Sequence, residues 1–546
     1  MDNVRLFLFI ALAFTGMLLY QSWQKDYGPQ PVATTQAPLT APGSADTPDV
    51  PVASTGTPAE ATPVVAAPVV KSHMVTVRTD KLILKIDTRG GTIAEAKLAD
   101  YPVSVEDPQD KFQLMGEDPS NFFIAQSGLL AADKARAPTH EAIYQASGDN
   151  FVMADGQDKL SVDLVWTSAD GIKVTKRFTF TRGSHKVELS HIVQNGSSSA
   201  WNGRDYRQLQ RGEPATTSHA FMYIYTGGAV YTQEDKYQKY KFDQLAEGKL
   251  NRDTIDGWVA MIQHYFLAAF VPTRGEKSHF YGKSVAGNHY VIGTYGPQAT
   301  IAPGASHTFG GALVIGPKLQ GELAGIAKGL DLTVDYGWLT VIAQPMYKVL
   351  EWIHKVVGNW GWTIIIFTIL IKGVFFKLAE TSYRSMANMR KMAPRIAALK
   401  DRYGDDKQRM QQAMMELYKT EKINPLGGCL PMVVQIPFFI SLYWVLLENV
   451  ELRQADWILW IHDLSIKDPY FVLPLLMGIT MFAQQKLNPA PPDPMQAKIM
   501  MALPVVFTAM FAFFPSGLVL YWFTNNLLSI TQQWIITRRI EQGAKA

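Results

Sequence analysis

The residue whose position asks most for an explanation is Lys372. It sits in Thr368-Ile369-Leu370-Ile371-Lys372-Gly373, near the end of an apolar run from Trp360 to Phe376. A lysine at mid-bilayer costs about 2.5–3.5 kcal/mol on insertion scales. One reading is that its long stem snorkels to the interface, although Lys377, one turn or more further out, is the better snorkeller. Other polar residues favour a second reading. Thr368 lies one helical turn away on the same face. Gln435 lies inside another apolar run, and Asn525 with Asn526 inside the last one. Each is costly facing lipid, so the economical arrangement turns them toward one another around a hydrated cavity. Glu380, Glu448 and Glu451 stand only at the ends of these runs. A cation in such a chamber is therefore free to meet an acidic ligand.

A second group lies between Leu378 and Lys422, which reads as two helices joined at Tyr403-Gly404-Asp405-Asp406, with an aspartate to cap the second. Met386, Met389, Ala393 and Ile396 mark one apolar stripe, and Met410, Met414 and Leu417 the facing one. In the plain reading this hairpin packs on itself with its charges, Arg395 among them, solvated. The sharper reading starts from Met386, Met389, Met392, Met410, Met414 and Met415. Methionine surfaces re-pack around varied apolar partners, so a basic, methionine-rich arm suits nascent apolar segments or ribosomal RNA.

The elements that would position these groups follow from hydropathy. The chain has 546 residues, more than one ordinary domain. Its net charge of +3 gives no argument for nucleic acid, and its single cysteine, Cys429, allows no internal disulfide. Leu6 to about Tyr20 is apolar after Arg5. With no small-x-small cleavage site following, it reads as an uncleaved anchor, residues 1–27. Residues 28–70, rich in proline, alanine and threonine, read as a tether. From 71 to 333 the period becomes two: Val75 and Val77, then Leu82, Leu84 and Ile86, later Val162, Leu164 and Trp166, with turns at Arg89-Gly90-Gly91 and Arg182-Gly183-Ser184. This predicts a large antiparallel β-sandwich. Residues 334–358 predict an amphipathic helix with Leu339, Ile342, Met346, Leu350, Ile353 and Val357 on one face, and its tryptophans place it in the membrane interface.

Five spans are then expected: Trp360 to Phe376, Leu426 to Leu447, Tyr470 to Gln484, Ile499 to Phe514 and Gly517 to Ile536. Ten lysines and arginines lie from Arg384 to Lys422, whereas the loop between the next two spans holds only Arg453 and Lys467. The positive-inside rule puts the basic hairpin, both termini and the 542–546 tail in the cytoplasm, and the β domain outside.

No His-Glu-x-x-His, Gly-x-Ser-x-Gly or G-x-G-x-x-G pattern appears. Gly282-Lys283-Ser284 mimics the end of a phosphate loop, but Lys277 stands where glycine is required. His185, His191 and His264 are unclustered in sequence. No cofactor or metal is expected. A sugar-binding or sugar-modifying sandwich and a polytopic transporter stay as alternatives.

The membrane half resembles the YidC/Oxa/Alb family of insertases. The resemblance rests on Asn424-Pro425-Leu426-Gly427-Gly428-Cys429, Glu451-Leu452-Arg453-Gln454-Ala455, Trp460-Ile461-His462-Asp463-Leu464, Asp468-Pro469-Tyr470 and Phe514-Pro515-Ser516-Gly517-Leu518-Val519-Leu520-Tyr521-Trp522. The outer β domain and tether resemble the Gram-negative type. This implies a polytopic α-helical membrane protein of six transmembrane helices. Five would form an insertase core, residues 359–541 with a cytoplasmic hairpin at 378–424, and a periplasmic β-supersandwich would be added. It further implies an inner-membrane location and a hydrophilic groove in the cytoplasmic leaflet, with Lys372 in the place of the family's arginine. Thr368 and Gln435 would line the groove, and Tyr521-Trp522 would stand where two tyrosines often contact substrate. The implied partners are nascent membrane proteins, the lipid bilayer, the Sec translocon and, through the hairpin, the ribosome.

Overall fold

A computed structural model describes residues 72–214, 224–404, 406–421, 430–487 and 494–543. The expected first anchor, the tether and the Asn424–Cys429 stretch lie outside them.

The period-two segments form two sheets, of eleven and nine strands among the described residues. Alternation sets the register. In Ile172–Thr181 the side chains of Ile172, Val174, Phe178 and Phe180 are buried while their neighbours are not. That strand pairs antiparallel with Lys186–Asn195, so that Phe180 faces Val187 and Phe178 faces Leu189. Lys186–Asn195 pairs in turn with Ser306–Pro317. In the larger sheet Trp201–Gly212 lies between Phe123–Ala131 and His289–Tyr295. Val75, Val77, Leu82, Leu84, Ile86, Val162 and Leu164 all join the core between the sheets. One pair departs from the antiparallel expectation: Met74–Arg78 runs parallel to Asn150–Val152. The Arg89-Gly90-Gly91 turn needs its glycines. Gly90 has φ +72°, and a Cβ there would lie 2.1 Å from the His140 carbonyl oxygen.

The helices are α1 (Phe242–Ala246), α2 (Gln320–Ile326), α3 (Thr340–Val357), α4 (Trp360–Val374), α5 (Phe376–Tyr403), α6 (Lys407–Thr420), α7 (Leu430–Glu448), α8 (Val472–Leu487), α9 (Pro494–Phe511) and α10 (Ser516–Gly543). α3 is the expected amphipathic helix with its buried stripe shifted. Ala343, Met346, Tyr347, Leu350 and Ile353 are buried, whereas Ile342 and Val357 are only half-buried. A second apolar strip explains the shift. Val341, Trp352 and Val356, at 85, 64 and 74% exposure, fall within about 60° of arc at 3.6 residues per turn, and Trp338, 83% exposed, stands just before the helix. Gln344, Lys348, Glu351 and Lys355 occupy the remaining arc. The helix thus has a packed face, an exposed apolar face and a polar face.

α4 is shorter than the expected span. It stops at Phe375, just beyond Gly373, and the axis turns by 64° into Phe376–Ser385; glycine's weak helix propensity favours a break there. Among the described residues no single helix is long and apolar enough to cross a membrane. That bent pair passes by length and composition, and Val434–Glu448 and Ala497–Phe511 are shorter apolar helices. α5 and α6 form the expected hairpin. Asp406 caps α6 by accepting from the Gln408 and Arg409 amides at 3.1 and 3.0 Å. Arg395, exposed on α5, pairs with Glu421 just beyond α6.

The sandwich meets the helical part through buried polar contacts. Lys318 Nζ lies 3.2 Å from Glu448 at the end of α7 and donates to the Thr333 carbonyl oxygen. The Gln320 amide and the Tyr336 hydroxyl both donate to Asn449 Oδ1, at 3.1 and 2.9 Å. Arg453 donates to the Pro102 carbonyl oxygen at 2.6 Å.

Candidate functional site

α10 organises the helical part: it packs against α4, α5, α7 and α8. Its sequence puts Trp522, Asn525, Asn526, Ser529, Gln532 and Gln533 at spacings of three and four, which draws one polar stripe along its length. A packed helix normally keeps such a stripe apolar. Here Asn526, Ser529, Gln532 and Gln533 are buried.

Lys372, in the last turn of α4, is half-buried. Its Nζ donates to Ser529 Oγ of α10 at 2.7 Å. Ser529 donates its own proton to the Asn525 carbonyl oxygen at 2.8 Å. One turn before it, the stripe is not satisfied. Asn525 Oδ1, Asn526 Nδ2 and Trp522 Nε1 are buried and find no hydrogen-bond partner among the described residues. An orphaned buried polar atom costs about 1–3 kcal/mol, so three within one turn of α10 set this part of the stripe apart from the satisfied remainder. At the far end Gln533 Nε2 donates to the Leu487 carbonyl oxygen of α8 at 3.2 Å.

An aromatic cluster closes the stripe toward the loop 449–471. Tyr521 is buried and stacks on Phe439 of α7 with centroids 5.7 Å apart. Trp522 meets Phe439 edge-on at 4.4 Å and Phe511 of α9 at 5.4 Å. Tyr521 therefore belongs to the packed core and Trp522 to its margin.

The other expected residues fall as follows. Thr368 is buried, and its hydroxyl donates to the Ile364 carbonyl oxygen one turn back at 2.6 Å. Gln435 is half-buried on α7. In the hairpin, Met389, Met392, Met410 and Met414 are half-buried on facing helices and Met415 is exposed. The Met386 side chain lies outside the described residues. His185, His191 and His264 are apart in space as well: they contact Glu322, Ser127 and the Leu447 carbonyl oxygen respectively.

Sequence reasoning missed Ser529, Gln532 and Gln533. Their three-and-four spacing from Asn525 and Asn526 was the available signal. Nothing in the sequence pointed to the Lys318–Glu448 pair, whose members stand 130 residues apart. Glu451, just past α7, is held by the Tyr347 hydroxyl at 2.6 Å, and burial pushes its carboxyl up despite that bond.

Comparison with known proteins follows the same division into sandwich and helices. The family model of the YidC periplasmic domain matches residues 74–349, and that of the 60Kd inner membrane protein matches residues 352–543. A membrane protein insertase YidC from Thioalkalivibrio sulfidiphilus is 52% identical, covering all of both chains. That from Methylococcus capsulatus is 50% identical over 100% of this chain and 99% of its own. Among solved structures, an active YidC insertase with its first transmembrane domain resolved covers 84% of this chain and 94% of its own. It does so at 17% identity and a TM-score of 0.39. A galactose mutarotase related enzyme from Lactobacillus acidophilus covers 44% of this chain at 11% identity and a TM-score of 0.31. At those scores the structural likenesses add nothing to the sequence relatives, and nothing favours the transporter or sugar readings. The full-length identities and the two family models settle the family: the chain belongs to the YidC family of inner-membrane protein insertases.

Proposed function

We propose that this chain inserts newly made proteins into the inner membrane through a polar groove that α4, α7 and α10 form on the hairpin side. The observation that carries the reading is a half-buried cation, Lys372, beside unpartnered polar atoms on α10, within helices whose other faces are apolar. Ile369, Val374, Leu475, Ile479, Val505 and Val506 expose apolar surface that suits lipid. The exposed apolar strip of α3 suits the outer interface in the same way.

In this reading the chain crosses the membrane six times, counting the first anchor, with both termini in the cytoplasm and the sandwich in the periplasm. The physical problem is to carry a short polar tail of a new protein across hydrocarbon, where its backbone and charges are costly. A wet groove on the cytoplasmic side shortens the dry path. Lys372 attracts an acidic tail into it. The membrane potential, positive outside, then favours outward movement of negative charge by about 2.3 kcal/mol per charge per 100 mV. The substrate's apolar segment slides past α7 and α9 into lipid, and no nucleotide takes part. As a point charge, Lys372 attracts a carboxylate without the two-pronged fit an arginine offers. The methionine-bearing hairpin receives apolar segments at the groove mouth. The Sec translocon and the ribosome are the assemblies such an insertase would work beside.

The test is reconstitution of the purified chain in lipid vesicles with a single-span, acidic-tailed substrate and no nucleotide. The expected result is protection of the tail from external protease. Protection no greater than with empty vesicles refutes the reading.

A further inference from the structure

The groove cation is held by a contact between two helices. Ser529 has one proton to donate and two lone pairs to accept with. The proton goes to the Asn525 carbonyl oxygen of its own helix at 2.8 Å. One acceptor site takes Lys372 Nζ from α4 at 2.7 Å. Ser529 is itself only 4% exposed, so this hydroxyl is a built contact and not a chance surface encounter. It joins α4, which carries the charge, to α10, which carries the polar stripe.

A lysine stem is flexible, and an ammonium near a helix end is drawn toward the aqueous interface. Lys372 lies two residues from the end of α4, so it has a short route out of the bundle. A fixed acceptor on the facing helix opposes that withdrawal. We infer that Ser529 is a positioning residue that keeps the Lys372 ammonium turned into the groove. Ser529 thereby governs how strongly the chain prefers acidic tails over neutral ones. The inference rests on the insertase reading and names what sets the specificity of that same site.

The experiment uses the full-length chain in lipid vesicles with two single-span substrates, one with an acidic tail and one with its acidic residues replaced by asparagine and glutamine. The readout is the ratio of acidic-tail to neutral-tail insertion. A charge-assisted hydrogen bond converts to roughly a tenfold effect. Ser529→Ala is expected to lower the ratio about tenfold, and Ser529→Thr, which keeps the hydroxyl, to restore it. In a Lys372→Gln background, Ser529→Ala is expected to change the ratio no further, because the charge it positions is gone. A purely structural serine gives another pattern: both substrates fall together, or the loss persists in the Lys372→Gln background, and either result overturns the inference. If Lys372→Gln lowers the ratio and Ser529→Ala does not, the positioning role alone fails. If Lys372→Gln leaves the ratio unchanged, the charge reading of the groove fails and takes this inference with it.

Discussion

Two lysines, one in each half of the molecule, lie away from bulk solvent on opposite terms. Lys176 is 1% exposed between the two sheets, and its ammonium donates to the carbonyl oxygens of Gly90 at 2.7 Å and Ser127 at 3.2 Å. Burial, and then the Arg207 charge, hold it well below the ordinary lysine range. Lys372 is half-buried and has one described partner, the Ser529 hydroxyl. Backbone carbonyls from a fixed turn and a fixed strand leave Lys176 little to offer a ligand. A single hydroxyl beside unpartnered amides leaves Lys372 with donors to spare. Burial alone therefore does not decide what a cation can offer a ligand; the state of its neighbours does.

The comparison can be broken by removing each lysine. A third, Lys318, sets the upper end of the scale, because its partner Glu448 is buried with it. Lys318→Ala is expected to destabilise the junction of sandwich and helices by about 3–5 kcal/mol, the cost of leaving a buried charge alone. The check is early loss of protease resistance near residue 336 on heating; a chain that melts like the parent contradicts it. Lys176→Met is expected to cost ~2–3 kcal/mol, from two carbonyls left without a donor, read as a lowered melting temperature with insertion per folded molecule unaltered. Lys372→Gln is expected to reverse that pattern, with stability within ~1 kcal/mol of the parent and a large loss of acidic-tail insertion. Equal effects of Lys176→Met and Lys372→Gln on both readouts would erase the distinction.

The sandwich interior also sharpens the contrast through pH. His140, hydrogen-bonded to the Tyr206 hydroxyl at 2.6 Å, is pushed down from 6.5 to about 4, by burial first and then by Lys176 and Lys283. The unfolded chain takes up a proton near pH 6.5, whereas the folded one refuses it until about pH 4. Stability therefore falls as pH drops through 6.5 and stops falling near 4, by ~3 kcal/mol in all at 1.36 kcal/mol per unit. Denaturant unfolding followed by a sandwich tryptophan such as Trp201 measures it. His140→Gln should remove that part of the slope, and an unchanged slope rules His140 out.

Much of this was legible in the sequence because local pattern decided it. Leu82, Leu84 and Ile86 face the core because period two leaves them no other place. Asp406 caps α6 because its carboxylate meets two free amides. Lys372 stood out because a charge in an apolar run is expensive. What was not legible depended on long-range pairing. The break at Phe375 shortens the span drawn to Phe376, since hydropathy carries no sign of a 64° bend. Thr368 shares a face with Lys372, yet its hydroxyl turns back to Ile364, a choice that spacing does not reveal. Tyr347 appeared in no apolar stripe because its partner, Glu451, lies 104 residues away.

The proposed mechanism depends on the sign of the charge at position 372. The direct measurement is insertion of the acidic-tailed substrate into vesicles by Lys372→Arg and Lys372→Glu chains. The expected result is activity within about twofold of the parent for arginine and a loss of tenfold or more, roughly the worth of one charge-assisted contact, for glutamate. A glutamate chain that inserts the acidic tail as well as the parent contradicts the attraction on which the mechanism depends.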